Sequence, residues 1–164
     1  MTIFRSASLW LLAALLAAAL LLAACQPPKG IAPLEEPKPG PLQRASKALN
    51  EKDFEKARSL YFQALQKKDL SREHQVLAWQ GLARSALETG HLQMVRKSLR
   101  QWRILNPDAA DTWAWQKIEA GVIRRSEGAG AYTSHLEGLL DKDRPWTLAF
   151  ESGKALTEFY LERK

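Results

Sequence analysis

The spacing of apolar residues after position 41 is the feature that most constrains what this chain folds into. From Leu42 to the end, apolar residues recur three and four positions apart, and no alternation typical of strands persists. This spacing places apolar side chains along one face of each helix, and that face must be buried against another helix. Hydrophobic residues make up 46% of the chain and charged residues 26%, as in globular proteins. We therefore expect an all-α domain over residues 42–164.

Local start and stop signals divide this region into several helices. The Ser71 hydroxyl can accept a hydrogen bond from a first-turn amide, so it predicts an N-cap. Gly90 takes the left-handed geometry that ends a helix, Asn106-Pro107 stops the next one, and Pro145 suits a first helical position. The pattern predicts two helices joined near 50–53, then helices over about 71–89, 91–105, 111–126, 131–141 and 145–162.

Cys25 is the only cysteine, so no disulfide can form within the chain and apolar burial must hold the fold. It ends a stretch of apolar or small residues over 7–24, and Arg5 is the only charge before Lys29. A positive start followed by such a stretch is typical of a secretory signal. The alternative is an uncleaved membrane helix, because the uncharged stretch is about long enough to span a bilayer. However, the stretch is rich in weakly apolar Ala and stops at a cysteine followed by two prolines.

The end of that stretch, Leu22-Ala23-Ala24-Cys25, resembles the lipobox of bacterial lipoproteins. The resemblance implies cleavage after Ala24, a diacylglycerol thioether on Cys25 and acylation of the new amino group, with palmitate as a typical chain. Multiple acyl chains anchor a protein stably to a bilayer, at about 0.8 kcal/mol per buried methylene. Enteric lipoproteins retained in the inner membrane have Asp where Gln26 stands, so we expect the periplasmic face of the outer membrane rather than the inner membrane.

A proline-rich segment follows the lipobox, with six prolines between Gln26 and Pro41. Proline lacks the amide donor and restricts its neighbour, so neither helix nor sheet runs through such a segment. We expect an extended spacer of up to about 50 Å, at roughly 3.1 Å per residue; a proline-rich recognition ligand is the alternative. The chain is thus expected to comprise a signal peptide over 1–24, a lipidated cysteine with its linker over 25–41, and a helical domain over 42–164.

Residues 78–107 resemble a tetratricopeptide (TPR) repeat along their whole length. The matching positions are the large and small residues of the first helix, the turn glycine, the second-helix core and the ending: Trp79, Leu82, Ala83, Ala86, Gly90, Leu92, Val95, Leu99, Trp102, Leu105, Asn106 and Pro107. The departures are Ala86 where an aromatic residue is usual, and Val95 and Trp102 where alanines are usual. Trp102 implies looser or shifted packing against a neighbouring helix.

An earlier copy precedes this repeat, and a partial later match follows it. The earlier copy aligns Ala57, Tyr61 and Ala64 with a second helix, and its first helix is short and degenerate. The later copy aligns Trp113 and Ala120, but nothing after Ala120 fits, so we expect one divergent helix pair and a capping helix there. The resemblance implies a short TPR-like α-solenoid of antiparallel helix pairs, since one pair cannot bury both its faces. A generic helical bundle is the alternative.

The chemistry-bearing residues do not form a catalytic or metal motif. His74, His91 and His135 form no i, i+4 pair with another His, Cys or acidic residue, and no glycine-rich phosphate loop follows a strand. Cys25 is consumed by lipid if the lipobox is used. Arg5 is the only charge in residues 1–24, so the rest of the chain carries five of the six net positive charges, too mild an excess to indicate nucleic acid. We expect no enzyme, no cofactor and no nucleic-acid partner.

The resemblance implies that first helices line a concave face. On the clear repeat, the residues projecting there are Leu77, Gln80, Arg84 and Leu87, and neighbouring first helices offer Ser46, Leu49, Asp111, Ala114 and Ile118. Such a groove, part polar and part apolar, suits an extended segment or an amphipathic helix of an envelope protein. Alternatively, Leu77 and Leu87 pack against the next helix.

Two other surfaces are candidates. Arg96, Arg100 and Arg103 form a basic stripe opposite the apolar face of their helix, suited to anionic lipid or an acidic partner, or simply solvated. Trp115 points away from Trp113 around a helix and is either an exposed contact anchor or buried against the C-terminal helix.

These features predict a membrane-anchored adaptor or scaffold lipoprotein that binds envelope proteins, as in the assembly of pili, secretins or secretion systems. The alternative function is binding of peptidoglycan or another glycan by exposed Trp115 and the basic residues.

Overall fold

The computed structural model describes residues 39–141 and 143–163. The predicted signal peptide, the Cys25 lipidation and most of the proline-rich linker lie outside these residues. The described part contains no strand and seven α-helices, so the all-α prediction is confirmed. The helices are α1 (Pro41–Asn50), α2 (Phe54–Leu65), α3 (Arg72–Glu88), α4 (Leu92–Leu105), α5 (Trp113–Ser126), α6 (Ala129–Gly138) and α7 (Trp146–Leu161), with a 3₁₀ helix at Pro107–Asp111.

The helices stack as successive pairs. Helices α1, α3, α5 and α7 contact one another in chain order, while α2, α4 and α6 each pack against the helix before and the helix after. Short turns join consecutive helices, which makes neighbours antiparallel. The expected helix pairs followed by one last helix are therefore present. Among the described residues, no helix is both long and apolar enough to cross a membrane.

The boundaries of α3 and α4 follow the predicted local chemistry. The Ser71 side chain accepts a hydrogen bond from the His74 amide at 3.3 Å and caps α3. Gly90 has φ +78°, the left-handed geometry that ends this helix. The Arg72 guanidinium at the start of α3 donates to the Leu105 carbonyl at the end of α4, with its Nη2 at 2.6 Å from the oxygen. This hydrogen bond ties the far ends of the pair together.

The first two pairs pack through small residues. Ala45, Ala48, Ala57 and Ala78 are each at most 1% exposed, so the helix backbones approach closely. The Tyr61 ring of α2 lies flat on Gly81 of α3: a methyl group added to Gly81 would stand 2.1 Å from the ring Cζ. The Tyr61 hydroxyl shares a 3.2 Å hydrogen bond with the Ser46 hydroxyl on α1. Tyr61 thus joins three helices.

Tryptophan side chains fill the contact between α4 and α5. Trp102 and Trp115 are both buried here in one cluster, and the 3₁₀ helix lies against both α4 and α5. Trp102 is 4% exposed in this cluster, and the looser or shifted packing expected from it stays a prediction. The prediction that α5 begins near Asp111 is wrong by two residues. Residues from Pro107 to Asp111 form the 3₁₀ helix, and α5 begins after Thr112, whose hydroxyl accepts a hydrogen bond from the Trp115 amide. Pro145 is the N-cap of α7 rather than its first residue.

Leucines and aromatic residues hold α5, α6 and α7 together. Leu136 and Leu148 are fully buried in one cluster with Ala120 of α5. The Tyr132 and Phe159 rings lie beside it with centroids 5.3 Å apart. This cluster is separate from the alanine-rich one around Tyr61.

Candidate functional site: a basic groove between α3 and α5

A groove of about 750 Å³ lies between α3 and α5 and reaches α6 at one end. The predicted Gln80, Arg84 and Leu87 of α3 line one side, and Ala114 and Ile118 of α5 line the other. The helix register thus brings together five of the residues assigned to the concave face. The remaining lining residues are Glu88, Lys117, Gly121, Arg124, Arg125 and Tyr132.

The floor of the groove is apolar because one side chain fits a gap in the facing helix. Leu87 packs at Gly121, where an added methyl group would stand 2.7 Å from the leucine Cδ2. Ile118 is buried beside it in the cluster that also holds Val122. A ligand side chain entering the groove would therefore meet Leu87 and Ile118 at its base.

The rim is strongly basic. Arg84, Lys117, Arg124 and Arg125 contribute four positive charges, and Glu88 contributes the one negative charge among the lining residues. The Glu88 carboxylate lies 3.7 Å from the Arg125 guanidinium at the end of the groove. Arg84, Lys117 and Arg124 are not part of this ion pair. Guanidinium and ammonium groups at the edge of an apolar groove favour binding of a ligand that has acidic groups beside an apolar side chain.

Aromatic rings fix the position of Arg124. Its guanidinium carbon lies 5.5 Å from the centroid of Tyr132 and 5.4 Å from that of Phe159, within the range of cation–π attraction. Burial raises the pKa of the Tyr132 phenol, Arg124 opposes that effect, and Glu158 and Glu162 add to it. At neutral pH the phenol therefore stays protonated at the α6 end of the groove.

The other residues assigned to the concave face lie outside the groove. Leu77 is 51% exposed and stands one turn before Gln80, so it does not pack against the next helix, whereas Leu87 does. Ser46 hydrogen bonds to Tyr61, and Leu49 packs on the alanine-rich cluster. Asp111 accepts a hydrogen bond from Arg144 at 3.3 Å.

Trp115 is not an exposed contact anchor. Only 7% of its surface is exposed, and its indole N–H donates to the Leu99 carbonyl at 3.4 Å. The expectation of an accessible Trp115 is therefore wrong, and so is its expected burial against the C-terminal helix, since it packs against α4. Trp102 of α4 lies in the same buried cluster as Trp115.

The basic stripe lies on the exposed side of α4, outside the groove lining. Arg96 donates to the Ser126 hydroxyl of α5 at 3.4 Å, and Arg100 and Arg103 are exposed. Burial raises the pKa of the Glu119 carboxyl, and the charge of Arg103 partly opposes that shift. Two of the three arginines thus lie near polar groups of α5.

Sequence reasoning assigned Ala114 and Ile118 of α5 to the groove but missed the basic residues beside them. Lys117, Gly121 and Arg124 are spaced four and three apart, the signal of one helix face. That face was obscured because α5 is apolar toward two different clusters, with Trp115 in one and Ala120 in the other. Among the described residues, no group of three or more His, Cys, Asp or Glu is placed to hold a metal ion.

Comparisons with protein-family models, with curated proteins and with solved structures found no match for this chain. The groove and its chemistry are therefore the basis for the function proposed below.

Proposed function

We propose that this chain is a lipid-anchored scaffold of the bacterial envelope, whose TPR-like helical domain binds a segment of another envelope protein in the groove between α3 and α5. The proposal depends on one observation: five residues predicted for the concave face line the same open groove. They are Gln80, Arg84, Leu87, Ala114 and Ile118. Open grooves between helices are a common way to hold an extended or helical segment.

The lipobox ending at Cys25 and the proline-rich spacer supply the setting. Acyl chains on Cys25 would tether the chain, and the spacer would hold the helical domain off the bilayer. In this position the groove is available to a membrane-embedded or peripheral partner. The stacked helix pairs support a TPR-like binding mode, in which first helices provide the recognition surface.

The glycan-binding alternative is less well supported. It relied on stacking of an exposed Trp115, and that ring is buried against α4. Cationic side chains beside an apolar floor fit an acidic protein segment better than a neutral sugar ring. We therefore assign the groove to a protein partner.

Charge reversal in the groove tests the proposal. The full-length protein is purified from its own envelope in mild detergent, as the parent and as the Arg84→Glu/Lys117→Glu variant. We expect the variant to retain at most about a tenth of the co-purified partner, since a tenfold loss corresponds to about 1.4 kcal/mol. The matched control is Lys97→Glu/Arg100→Glu, which makes the same charge change on α4 outside the groove. A partner lost from the control but retained by the groove variant would assign binding to α4 and contradict the proposal.

The membrane tether has its own test. Cells are labelled with a palmitate analogue and the parent is compared with Cys25→Ser. We expect the label in the parent alone. A Cys25→Ser variant as strongly labelled as the parent would refute lipid attachment at this cysteine, whatever the groove binds.

A further inference from the structure

The last helix carries two apolar faces, and one of them is uncovered. Leu148, Ser152, Leu156 and Phe159 are buried against α5 and α6. On the opposite side, Trp146 is 76%, Phe150 62% and Leu161 63% exposed. We call this side the α7 strip; it consists of Trp146, Phe150, Gly153, Thr157, Tyr160 and Leu161, all uncharged. Leu140 borders it beside Gly153.

An uncovered face of this kind is unusual at the end of a helical stack. Terminal helices of solenoids ordinarily present a polar outer side, because nothing packs on them. At about 200 Å² for each large side chain, the four large residues of the strip and Leu140 leave about 600 Å² of mostly apolar surface open. That equals or exceeds the largest apolar patch of a typical monomer.

We propose that two copies of this chain pair through the α7 strip, with the two α7 helices antiparallel about a two-fold axis near Gly153. The order of residues in the strip is the reason for choosing a second copy. Trp146 stands seven residues before Gly153 and Tyr160 seven after it, so antiparallel pairing sets each Trp146 level with the partner's Tyr160. Phe150, three residues before Gly153, falls within one residue of the level of the smaller Thr157, four residues after it.

Gly153 lies at the crossing point and has open space in front of it. A methyl group added there would have only Leu140 nearby, at 3.7 Å, so the helix backbone is accessible to a neighbour. Two helices that cross at glycine approach closely, and the bulky residues on either side then interlock. Two strips together would bury about 1,200 Å², the lower end of the range for specific, stable interfaces.

A membrane surface fits the strip less well than a second copy does. Helices that lie on anionic bilayers carry Lys and Arg along their polar face. The polar face of α7 instead carries Glu151 and Glu158, with Lys154 between them. None of the strip residues lines the groove between α3 and α5, so pairing and partner binding use different residues.

Protein mass in solution tests the proposal. We measure the full chain by sedimentation equilibrium in a detergent matched to solvent density, so that only the protein contributes. The parent is expected at twice the mass of one chain, and Trp146→Glu/Phe150→Glu at one chain mass. The matched control Phe62→Glu/Ile104→Glu places the same charges at exposed apolar positions of α2 and α4, and it is expected to remain dimeric. A monomeric parent, or a strip variant that stays dimeric, overturns the proposal.

A disulfide test leaves the strip apolar and so does not depend on the folding of the glutamate variants. In Gly153→Cys, the two new thiols at the axis are expected to oxidise to an interchain disulfide in most of the protein. Gln63→Cys on α2 measures the background crosslinking of an exposed cysteine. The parent measures the background crosslinking through Cys25. Crosslinking of Gly153→Cys no greater than that of Gln63→Cys overturns the proposal. The groove variant Arg84→Glu/Lys117→Glu is expected to remain dimeric, which separates this inference from the proposed function.

Discussion

The two halves of the helical domain are packed by different means. Helices α1 to α3 approach closely through alanines, with Tyr61 seated on Gly81 as the link between pairs. Helices α5 to α7 meet through leucines and aromatic rings, and large apolar side chains remain exposed on α7. The groove lies where the two kinds of packing meet, between α3 and α5.

The difference in packing indicates which regions of the domain are suited to ligand binding and which to association. Close packing through small residues leaves little room for ligands and positions α3 as one wall of the groove. At the contact between α4 and α5, Trp102 and Trp115 fill one buried cluster, and the basic residues of α5 line the groove opposite α3. The apolar side of α7 that does not pack on α5 and α6 stays exposed and is available for association. Four predictions test this division, from the largest expected effect to the smallest.

Gly81→Ala is expected to destabilise the domain most. The added methyl group would overlap three atoms of the Tyr61 ring, at 2.1 to 2.5 Å, so the ring or the helices must move. We expect a loss of about 3 kcal/mol or more in the free energy of unfolding, at the upper end for overpacking. Urea denaturation measures it. Gly130→Ala is the matched control: nothing lies within 4 Å of the new methyl, and stability should change by less than about 1 kcal/mol. Equal effects of the two changes would refute the interlock.

Leu148→Ala is expected to loosen the C-terminal helices selectively. Leu148 is fully buried in the cluster of α6 and α7, and its truncation should cost about 2–3 kcal/mol. Because that cluster is separate from the one around Tyr61, we expect amide hydrogen exchange to accelerate in α6 and α7 more than in α1 and α2. Uniform acceleration over all seven helices would show that the two halves unfold as one unit.

Trp115→Phe tests the buried tryptophan at the contact between α4 and α5. The change removes the hydrogen bond to the Leu99 carbonyl and part of the packing, so we expect a loss of about 1–2 kcal/mol. Trp146→Phe on the exposed face should change the stability of the monomeric fold by less than about 0.5 kcal/mol. A reversed order of these two effects, measured by urea denaturation at low protein concentration, would contradict the assigned burial.

His135 is expected to give a small loss of stability at acid pH. Burial lowers the pKa of its imidazole below the ordinary value of about 6.5. The unfolded chain then binds the proton more readily than the folded one, so this stability is present above about pH 6.5 and is lost as pH falls toward the folded pKa. The raised pKa of Glu119 acts in the opposite direction. The His135→Gln variant, compared with the parent at pH 7.5 and 5.5, should therefore lose less stability on acidification than the parent loses.

Much of the fold was predictable because its signals are local. Ser71, Gly90 and Asn106-Pro107 set the ends of α3 and α4 through hydrogen bonds and backbone geometry within a few residues. The α3 side of the groove followed from helix register, which places Gln80, Arg84 and Leu87 on one face.

The remainder depends on contacts between distant segments. Trp115 is buried in one cluster with Trp102 of α4, and no spacing within α5 reports that contact. The basic rim of α5 was missed because this helix is buried on two sides, which removes the single apolar stripe that fixes register. The exposed strip of α7 depends on which of its two apolar faces meets α5, and only the tertiary structure decides between them.

Site-specific photocrosslinking tests the central claim, that the groove is the binding surface, most directly. A benzophenone side chain replaces Ala114 in the groove or Arg100 on the exposed side of α4, in the full-length protein within its own envelope. We predict a discrete adduct with another envelope protein from position 114 and none from position 100. An adduct from position 100 alone, or equal adducts from both, would contradict the account.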